Sequence, residues 1–296
     1  MIKKIVGIVV LMLVATTVVS ASTINVKETT KSTSSNVDVP IWEVGDSWTY
    51  NDHWAVLMYP RGVYSEAIFY WNSTITYTVT DDTGDNYTVM ITSKNPEGWF
   101  SLSAPYYFKF TPFLKYSEEY TFRKTDLGRV CSKYQIKGLL FWYFRLNGLL
   151  SIPAQAHLLG EQTFTPPVVL LPSPFTAGIT GTLPPISSMG WETFSLYWGL
   201  YSVYDSLSLC RYLWDSPGPS TYTCEMETIT VPAGTYEAYK ITATRDFGID
   251  GHDIWQTYYV PEVGYHVKQY TNIDWNDGGA PYWIESLELI STTYTP

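Results

Sequence analysis

Basic residues are scarce in this chain. Its 296 residues include 18 Lys and Arg against 28 Asp and Glu, a formal net charge of −10. Binding to nucleic acid depends on clustered positive charge that displaces counterions from the phosphates. The sequence has no such cluster. We therefore exclude nucleic acid as a partner.

Catalytic and metal-binding motifs are also missing. The sequence contains no Gly-x-Ser-x-Gly elbow, no His-Glu-x-x-His, no Gly-rich phosphate loop and no Cys-x-x-Cys. His252 stands beside Asp250 and Asp253, a pattern more typical of a solvated loop than of a metal site. Glu118 and Glu119 are adjacent, so in a strand they face opposite sides. The sequence predicts no cofactor, no metal ion and no enzymatic activity.

Apolar runs that approach the length of a membrane span are confined to the N-terminus. Lys3 and Lys4 precede an apolar stretch at 5–19, and small residues at 19–21 suit a cleavage site. Residues 1–21 therefore resemble a secretory signal peptide, the alternative being a retained anchor. The Ser/Thr-rich residues 22–38 are interpreted as a flexible linker. We expect a secreted protein, extracellular or in the cell envelope, with no membrane span after cleavage.

The sequence contains only three cysteines, Cys131, Cys210 and Cys224. Cys210 and Cys224 flank a loop with a Ser-Pro-Gly-Pro turn, and we predict a disulfide between them that contributes about 3 kcal/mol. Cys131 is then interpreted as a small buried hydrophobe. Asn72 and Asn86 each begin a glycosylation sequon, which suits a secreted glycoprotein.

What the chain has in quantity is aromatic residues, at 17%, including 25 Tyr. Aromatic and β-branched residues favour strands. Alternation of apolar and polar residues, with turn signals every 8–14 residues, predicts a mainly all-β chain with one large curved antiparallel sheet or incomplete barrel. The predicted strands are 64–80, 85–94, 222–231, 236–245, 254–260 and 264–273, within a single β domain at 39–292.

Residues 139–190 interrupt this pattern. Residues 139–160 are strongly apolar, and six prolines follow between 166 and 185. Proline lacks the N–H that a central strand needs. We therefore predict an irregular insertion at about 139–190, a Pro-rich apolar covering segment. Two interpretations stay open: a hairpin or helix that covers the core, and a lid or wall of a ligand cavity.

Two motifs carry a family resemblance. The stretch 228–270 contains "VPAGTYEAYKI" and "WQTYYVPEVGYHVKQY", in which a Pro and then a Gly shape each turn. The N-terminal motif is "GDSWTY" at 45–50. Together they resemble secreted β proteins related to the LolA/LolB-type lipoprotein carriers. The resemblance covers about 60 C-terminal residues and the first strand, and implies a curved half-barrel sheet that wraps around covering elements.

The predicted function follows from this fold and from the apolar segment. We expect a binding protein that holds an apolar ligand, a lipid or acyl chain, in its concave face. The alternative is a structural or adhesive extracellular protein with a filled core that contacts glycans. Strand alternation selects ligand-lining candidates on the C-terminal strands, which are Tyr239, Ile241, Trp255, Tyr259, Leu287 and Leu289. Opposite them we expect the apolar segment to contribute either Phe141 or, in the other register, Trp142 and Phe144.

Overall fold

The computed structural model describes residues 39–58, 67–102, 106–110, 115–144, 150–169, 171, 176–183, 187–198, 201–213, 220–246, 252–274 and 282–296. The predicted signal peptide and linker, residues 1–21 and 22–38, lie outside these ranges and stay predictions.

Nearly all of the described chain is β-strand, as the alternation predicts. The strands are β1 (Ser47–Met58), β2 (Ala67–Thr83), β3 (Asn86–Leu102), β4 (Tyr106–Phe110), β5 (Lys115–Arg123), β6 (Gly128–Phe144), β7 (Leu150–Val169), β8 (Thr180–Leu183), β9 (Ser187–Trp198), β10 (Tyr201–Leu213), β11 (Ser220–Val231), β12 (Gly234–Asp246), β13 (His252–Val260), β14 (Tyr265–Asp274) and β15 (Tyr282–Thr292). The six strands predicted from the sequence coincide with β2, β3 and β11–β14.

All fifteen strands belong to one antiparallel sheet that does not close on itself. Its order is β10-β9-β7-β6-β4-β3-β2-β1-β15-β14-β13-β12-β11-β8, with β5 between β3 and β6 beside this path. The first strand therefore lies in the middle, between β2 and the last strand. The pairing of β1 with β15 joins an N-terminal branch of the sheet to a C-terminal branch.

The core is built largely from aromatic rings. Trp42 lies at its centre, with ring centroids of four neighbours 5.2–5.5 Å away. Such distances are typical of favourable aromatic pairs. The four neighbours are Trp48, Tyr87, Phe122 and Tyr265. These rings come from β1, β3, β5 and β14, so the sheet must curve to bring them together.

The two motifs behind the family resemblance contact each other. The turn after β13 is a 3₁₀ turn at Pro261–Val263, closed by Gly264 at φ 69°, a left-handed conformation that favours glycine. The Trp42 indole donates a hydrogen bond to the Gly264 carbonyl (2.9 Å), and the Trp48 indole donates to that of Val263 (2.7 Å). We name this contact the indole clamp.

The second turn of the C-terminal motif also docks on the sheet. Pro232 and Ala233 form the two-residue turn between β11 and β12, and Gly234 follows at φ 149°. The amide of Ala233 donates to the Leu289 carbonyl on β15 (2.9 Å). Both prolines and both glycines thus shape turns, as the sequence predicts.

Residues 139–190 differ from the prediction. Instead of an irregular insertion, most of their described parts form the end of β6, all of β7 and β8 and the start of β9 within the same sheet. The ladder accommodates proline through a bulge: Arg129 pairs with Val168 and Cys131 with Thr163, so Pro166 and Pro167 fall in the irregular stretch between. Proline lacks a backbone N–H, and this costs little stability at positions where the strand makes no hydrogen bond to its neighbour.

The predicted Cys210–Cys224 disulfide is not found in the structure. Cys224 is a free, buried thiol on β11, which pairs with β12 and β8. Cys210 lies on β10, at the opposite end of the sheet order, and its side chain lies outside the described part. β10 and β11 are therefore not neighbours in the sheet. Cys131, also a free thiol, is half-buried rather than buried.

Removal of the Trp48 hydrogen bond should destabilise the fold. Trp48→Phe keeps a ring but leaves the Val263 carbonyl without this donor, so we expect a loss of about 1–3 kcal/mol in the free energy of unfolding. Trp48→Ala should cost about 3–5 kcal/mol because it also opens a cavity. Urea denaturation measures both. Trp191→Phe, at an exposed position, is the control and should stay within about 0.5 kcal/mol of wild type; equal losses at both positions would contradict the clamp.

The Cys224 thiol should resist alkylation until the chain unfolds. Burial, with a smaller effect of Glu225, raises its pKa to about 12, so the reactive thiolate is rare at pH 8. We expect iodoacetamide to label Cys224 without reductant in urea but not in buffer, as read by peptide mass spectrometry. A peptide pair linked through Cys210 and Cys224 would contradict the structure and restore the sequence-based prediction.

Candidate functional site

A cavity of about 40 Å³ lies on the concave face of the sheet, beside the aromatic core. Its wall combines apolar and aromatic residues with an unusual number of charged ones. The charged residues are Asp52 on β1, Glu118 on β5, Arg129 on β6 and Glu285 on β15. Strands from both branches of the sheet thus meet around one small polar space.

Strand alternation explains why these residues face inward. On β1, the buried residues Trp48, Tyr50, Asp52 and Trp54 alternate with less buried neighbours. On β15, Glu285, Leu287 and Leu289 alternate in the same way. The same rule places Glu118 inside and leaves Glu119 half-buried beside Lys133, at 3.2 Å between Nζ and Oε1. This separation confirms that the two glutamates face opposite sides.

Asp52 is 2% exposed, and hydrogen bonding from Trp54, Ser73 and Trp71 lowers its pKa against the larger effect of burial. The Ser73 hydroxyl donates to its Oδ2 (3.3 Å), and the Trp71 indole donates to the Ser73 hydroxyl (3.1 Å). Its other oxygen, Oδ1, has no hydrogen-bond partner. Burial raises the pKa of Asp52 to about 7 because desolvation disfavours the charged carboxylate.

Glu118 lies opposite, also 2% exposed. The Tyr116 hydroxyl donates to its Oε2, while Oε1 has no hydrogen-bond partner. Burial raises the pKa of Glu118 to about 7, and the positive charge of Arg129 partly opposes this shift. The Arg129 guanidinium lies 4.4 Å from the ring centroid of Tyr120 and 5.0 Å from that of Phe164.

Glu285 completes the set and is 8% exposed. Burial raises its pKa well above the ordinary value, and repulsion from Asp52 and Glu118 raises it further. Its Oε2 has no hydrogen-bond partner. We name Asp52, Glu118 and Glu285 the acid cluster; each of its members has one buried oxygen without a partner at the wall of the cavity.

The polar interior continues from Glu118 across the N-terminal branch. Glu118 pairs in register with Tyr134 on β6, and the Tyr134 hydroxyl donates to Glu192 Oε2 on β9 (2.8 Å). The tyrosine crosses β7 at Gly160, where a Cβ would come within 2.2 Å of its ring. Burial raises the pKa of Glu192 to about 7. Glycine at 160 thus leaves room for a buried tyrosine–carboxyl pair.

The structure separates the sequence-predicted ligand-lining residues into three groups. Leu287 lines the cavity. Ile241, Tyr259 and Leu289 are buried in the core, and Tyr239 and Trp255 are half-buried. Phe141, Trp142 and Phe144 lie on β6 opposite Lys109, Phe108 and Tyr106 of β4, and their side chains lie outside the described part.

Sequence reasoning missed Asp52, Arg129 and Glu285 as site residues. A signal exists for two of them: Asp52 and Glu285 each occupy an inward position of an alternating strand, where an apolar residue is the norm. Among the predicted glycosylation sites, Asn72 is exposed on β2 and Asn86 is half-buried at the start of β3.

The described residues contain no group of three His, Cys, Asp or Glu arranged to hold a metal ion. Within the same part of the chain, no helix has the length and apolar character needed to cross a membrane. No family model, curated protein or solved structure matches this chain. The resemblance to the LolA/LolB-type carriers therefore stays a prediction.

The acid cluster should make the protein less stable as the pH rises from about 4.5 to 7. The folded pKa values of Asp52, Glu118 and the nearby Glu192 are about 7, and that of Glu285 is raised well above its ordinary value, so the folded chain binds protons that the unfolded chain has released. His266, with a pKa lowered to about 3, and His157, with a lowered pKa, oppose this trend but are two groups against four.

Urea denaturation of Glu118→Gln across this pH range tests that assignment. The variant should show a shallower decline of the unfolding free energy than wild type because one titrating group is gone. Glu119→Gln, which removes the neighbouring carboxylate beside Lys133, should keep the wild-type slope. Parallel curves for wild type and Glu118→Gln would show that Glu118 does not titrate as its burial implies.

Proposed function

We propose that the protein is a secreted or cell-surface binding protein whose ligand occupies the concave face of the sheet at the cavity. The observation that supports this most is the acid cluster, three buried carboxyl groups that each have an oxygen without a partner. Each such group costs roughly 1–3 kcal/mol. Well-packed apolar residues would make a more stable core. Retained polar groups of this kind are typical of ligand sites.

The proposed ligand is an amphiphile, a lipid or other molecule with an acyl chain. A cavity of about 40 Å³ admits only a few heavy atoms, so it suits a polar group and not a chain. The chain needs a second surface. Beyond Arg129 and Tyr134, β6 continues into the apolar sequence at 139–144, which we assign as the wall for the chain.

A structural or adhesive role is the second candidate. It is supported by the dense packing of the aromatic core, where Trp42, Trp48 and Tyr265 contact one another directly. In that case the sheet would serve as a rigid scaffold, with glycan contacts on its outer surface. The acid cluster has no evident purpose in such a protein, which is why we favour ligand binding.

Displacement of a fluorescent fatty acid tests the proposed function. Burial of a dozen methylenes is worth roughly 0.8 kcal/mol each, enough for micromolar binding after the costs of association. We expect binding by wild type and at least about tenfold weaker binding by the double variant Trp142→Ala plus Phe144→Ala, two positions of β6 that share one face of the sheet. Trp191→Ala, at an exposed position on β9, is the matched control.

Mass spectrometry of lipid that co-purifies from the native host gives an independent readout. We expect a defined amphiphile in stoichiometric amount. Failure of wild type to bind or to carry any lipid, with the fold intact by circular dichroism, would end the carrier proposal and leave the structural role.

A further inference from the structure

We propose that the cavity binds an ammonium group, primary or methylated, which the acid cluster holds by charge-assisted hydrogen bonds. This assignment rests on the proposed binding function and specifies the polar group of its ligand. The ammonium assignment concerns the cavity alone and does not depend on where the apolar part of the ligand binds.

The balance of donors and acceptors around the cavity favours a cation. Three acidic residues and one basic residue line it, so the ionised cluster would carry an excess of two negative charges. The free atoms Asp52 Oδ1, Glu118 Oε1 and Glu285 Oε2 are oxygens of carboxyl groups at least nine-tenths buried. An ionised carboxylate only accepts hydrogen bonds, and an ammonium group only donates them. An anionic group would meet repulsion from the same three residues.

Arg129 does not compensate this charge alone. Its guanidinium already lies over the rings of Tyr120 and Phe164, where cation–π attraction holds it. It lowers the pKa of both Glu118 and Glu285, yet burial still raises both above their ordinary values. A single buried cation is therefore insufficient to keep the whole cluster ionised near neutral pH.

The rest of the wall suits an organic cation rather than a metal ion. Trp54, Tyr77, Tyr116 and Tyr265 contribute aromatic rings to the cavity. Aromatic rings attract ammonium ions, including methylated ones, through their negative faces. Hard divalent cations instead take six or more oxygen ligands, and the described residues contain no cluster arranged for a metal. The volume of about 40 Å³ fits an ammonium or methylammonium group.

Entry of a cation should release protons. Apart from the acid cluster, the titratable groups at the wall are Tyr77, Tyr116, Tyr120 and Tyr265, whose pKa values burial raises, and Arg129. The tyrosines therefore stay neutral at pH 6–7. Only the acid cluster can give up protons in this range, and a bound cation favours its ionised form.

Three probes with the same chain and different polar groups test the proposal on the full secreted protein. Isothermal titration at pH 6.5 compares octylammonium, octanoate and octanol, each below its micelle concentration. We expect octylammonium to bind at least about tenfold more tightly than either other probe, a difference equal to one favourable charge contact. The titrations are repeated in phosphate and in PIPES, two buffers that differ in ionisation enthalpy. The observed binding enthalpy should depend on the buffer only for octylammonium, because only its binding releases protons.

Two variants assign the effect to the cavity. Glu285→Gln and Asp52→Asn keep side-chain shape and should each weaken octylammonium at least about tenfold while leaving octanol unchanged. Glu288→Gln alters the same strand at a half-buried site beside Lys268 and should bind like wild type. Circular dichroism verifies each fold.

The outcomes separate the two proposals. Equal affinity for all three probes, or octylammonium binding that Glu285→Gln and Asp52→Asn leave intact, overturns the ammonium assignment while the binding function stands. Preference for octanoate overturns it as well. Failure of every probe to bind, with fatty-acid displacement also negative, overturns the proposed function itself.

Discussion

The indole clamp is the contact on which the rest of the structure depends. Two indole N–H groups from the N-terminal segment donate to consecutive carbonyls of the turn at Pro261–Gly264, more than 210 residues away in sequence. Without this contact, an antiparallel sheet of this length would be free to stay flat. The clamp fixes the turn against β1, and the aromatic rings of Trp42, Trp48 and Tyr265 then exclude water from the contact. Curvature of the sheet follows from this local arrangement.

Curvature in turn creates an electrostatic problem. It brings Asp52, Glu118 and Glu285 from three strands to one cavity, where water can no longer solvate them fully. The fold tolerates this because Arg129, Ser73 and Tyr116 offset part of the cost. Stability and binding therefore oppose each other at the same residues. The acid cluster lowers the stability of the protein without ligand, and a cationic ligand would offset that loss.

The sequence predicts the strands well where one face is wet and the other dry. Such alternation locates β2, β3 and β11–β14 to within a few residues in most cases, and the Pro and Gly of both C-terminal turns are interpreted correctly. It fails at 139–190 because prolines argue against strands, whereas the ladder of β7 places Pro166 and Pro167 in a bulge. The acid cluster cannot be assembled from the sequence for another reason. Asp52 and Glu285 stand out as polar residues at inward positions, but the members of the cluster are distant in sequence, and only the strand order and register bring them together.

The position of β1 between β2 and β15 also constrains how the chain acquires its structure. Most of each branch can form hairpin by hairpin, although β8 pairs with β11 rather than with its neighbours in sequence. The joint between the branches pairs residues near both ends of the described chain, such as Trp48 with Thr292. Pairing of β1 with β15 closes a loop of most of the described chain, which is a slow step. It cannot begin before β15 is available. A nascent chain thus stays unfinished until β15 has been synthesised. Loss of even the last dozen residues would leave two incomplete half-sheets with unpaired central edges, which are prone to aggregate.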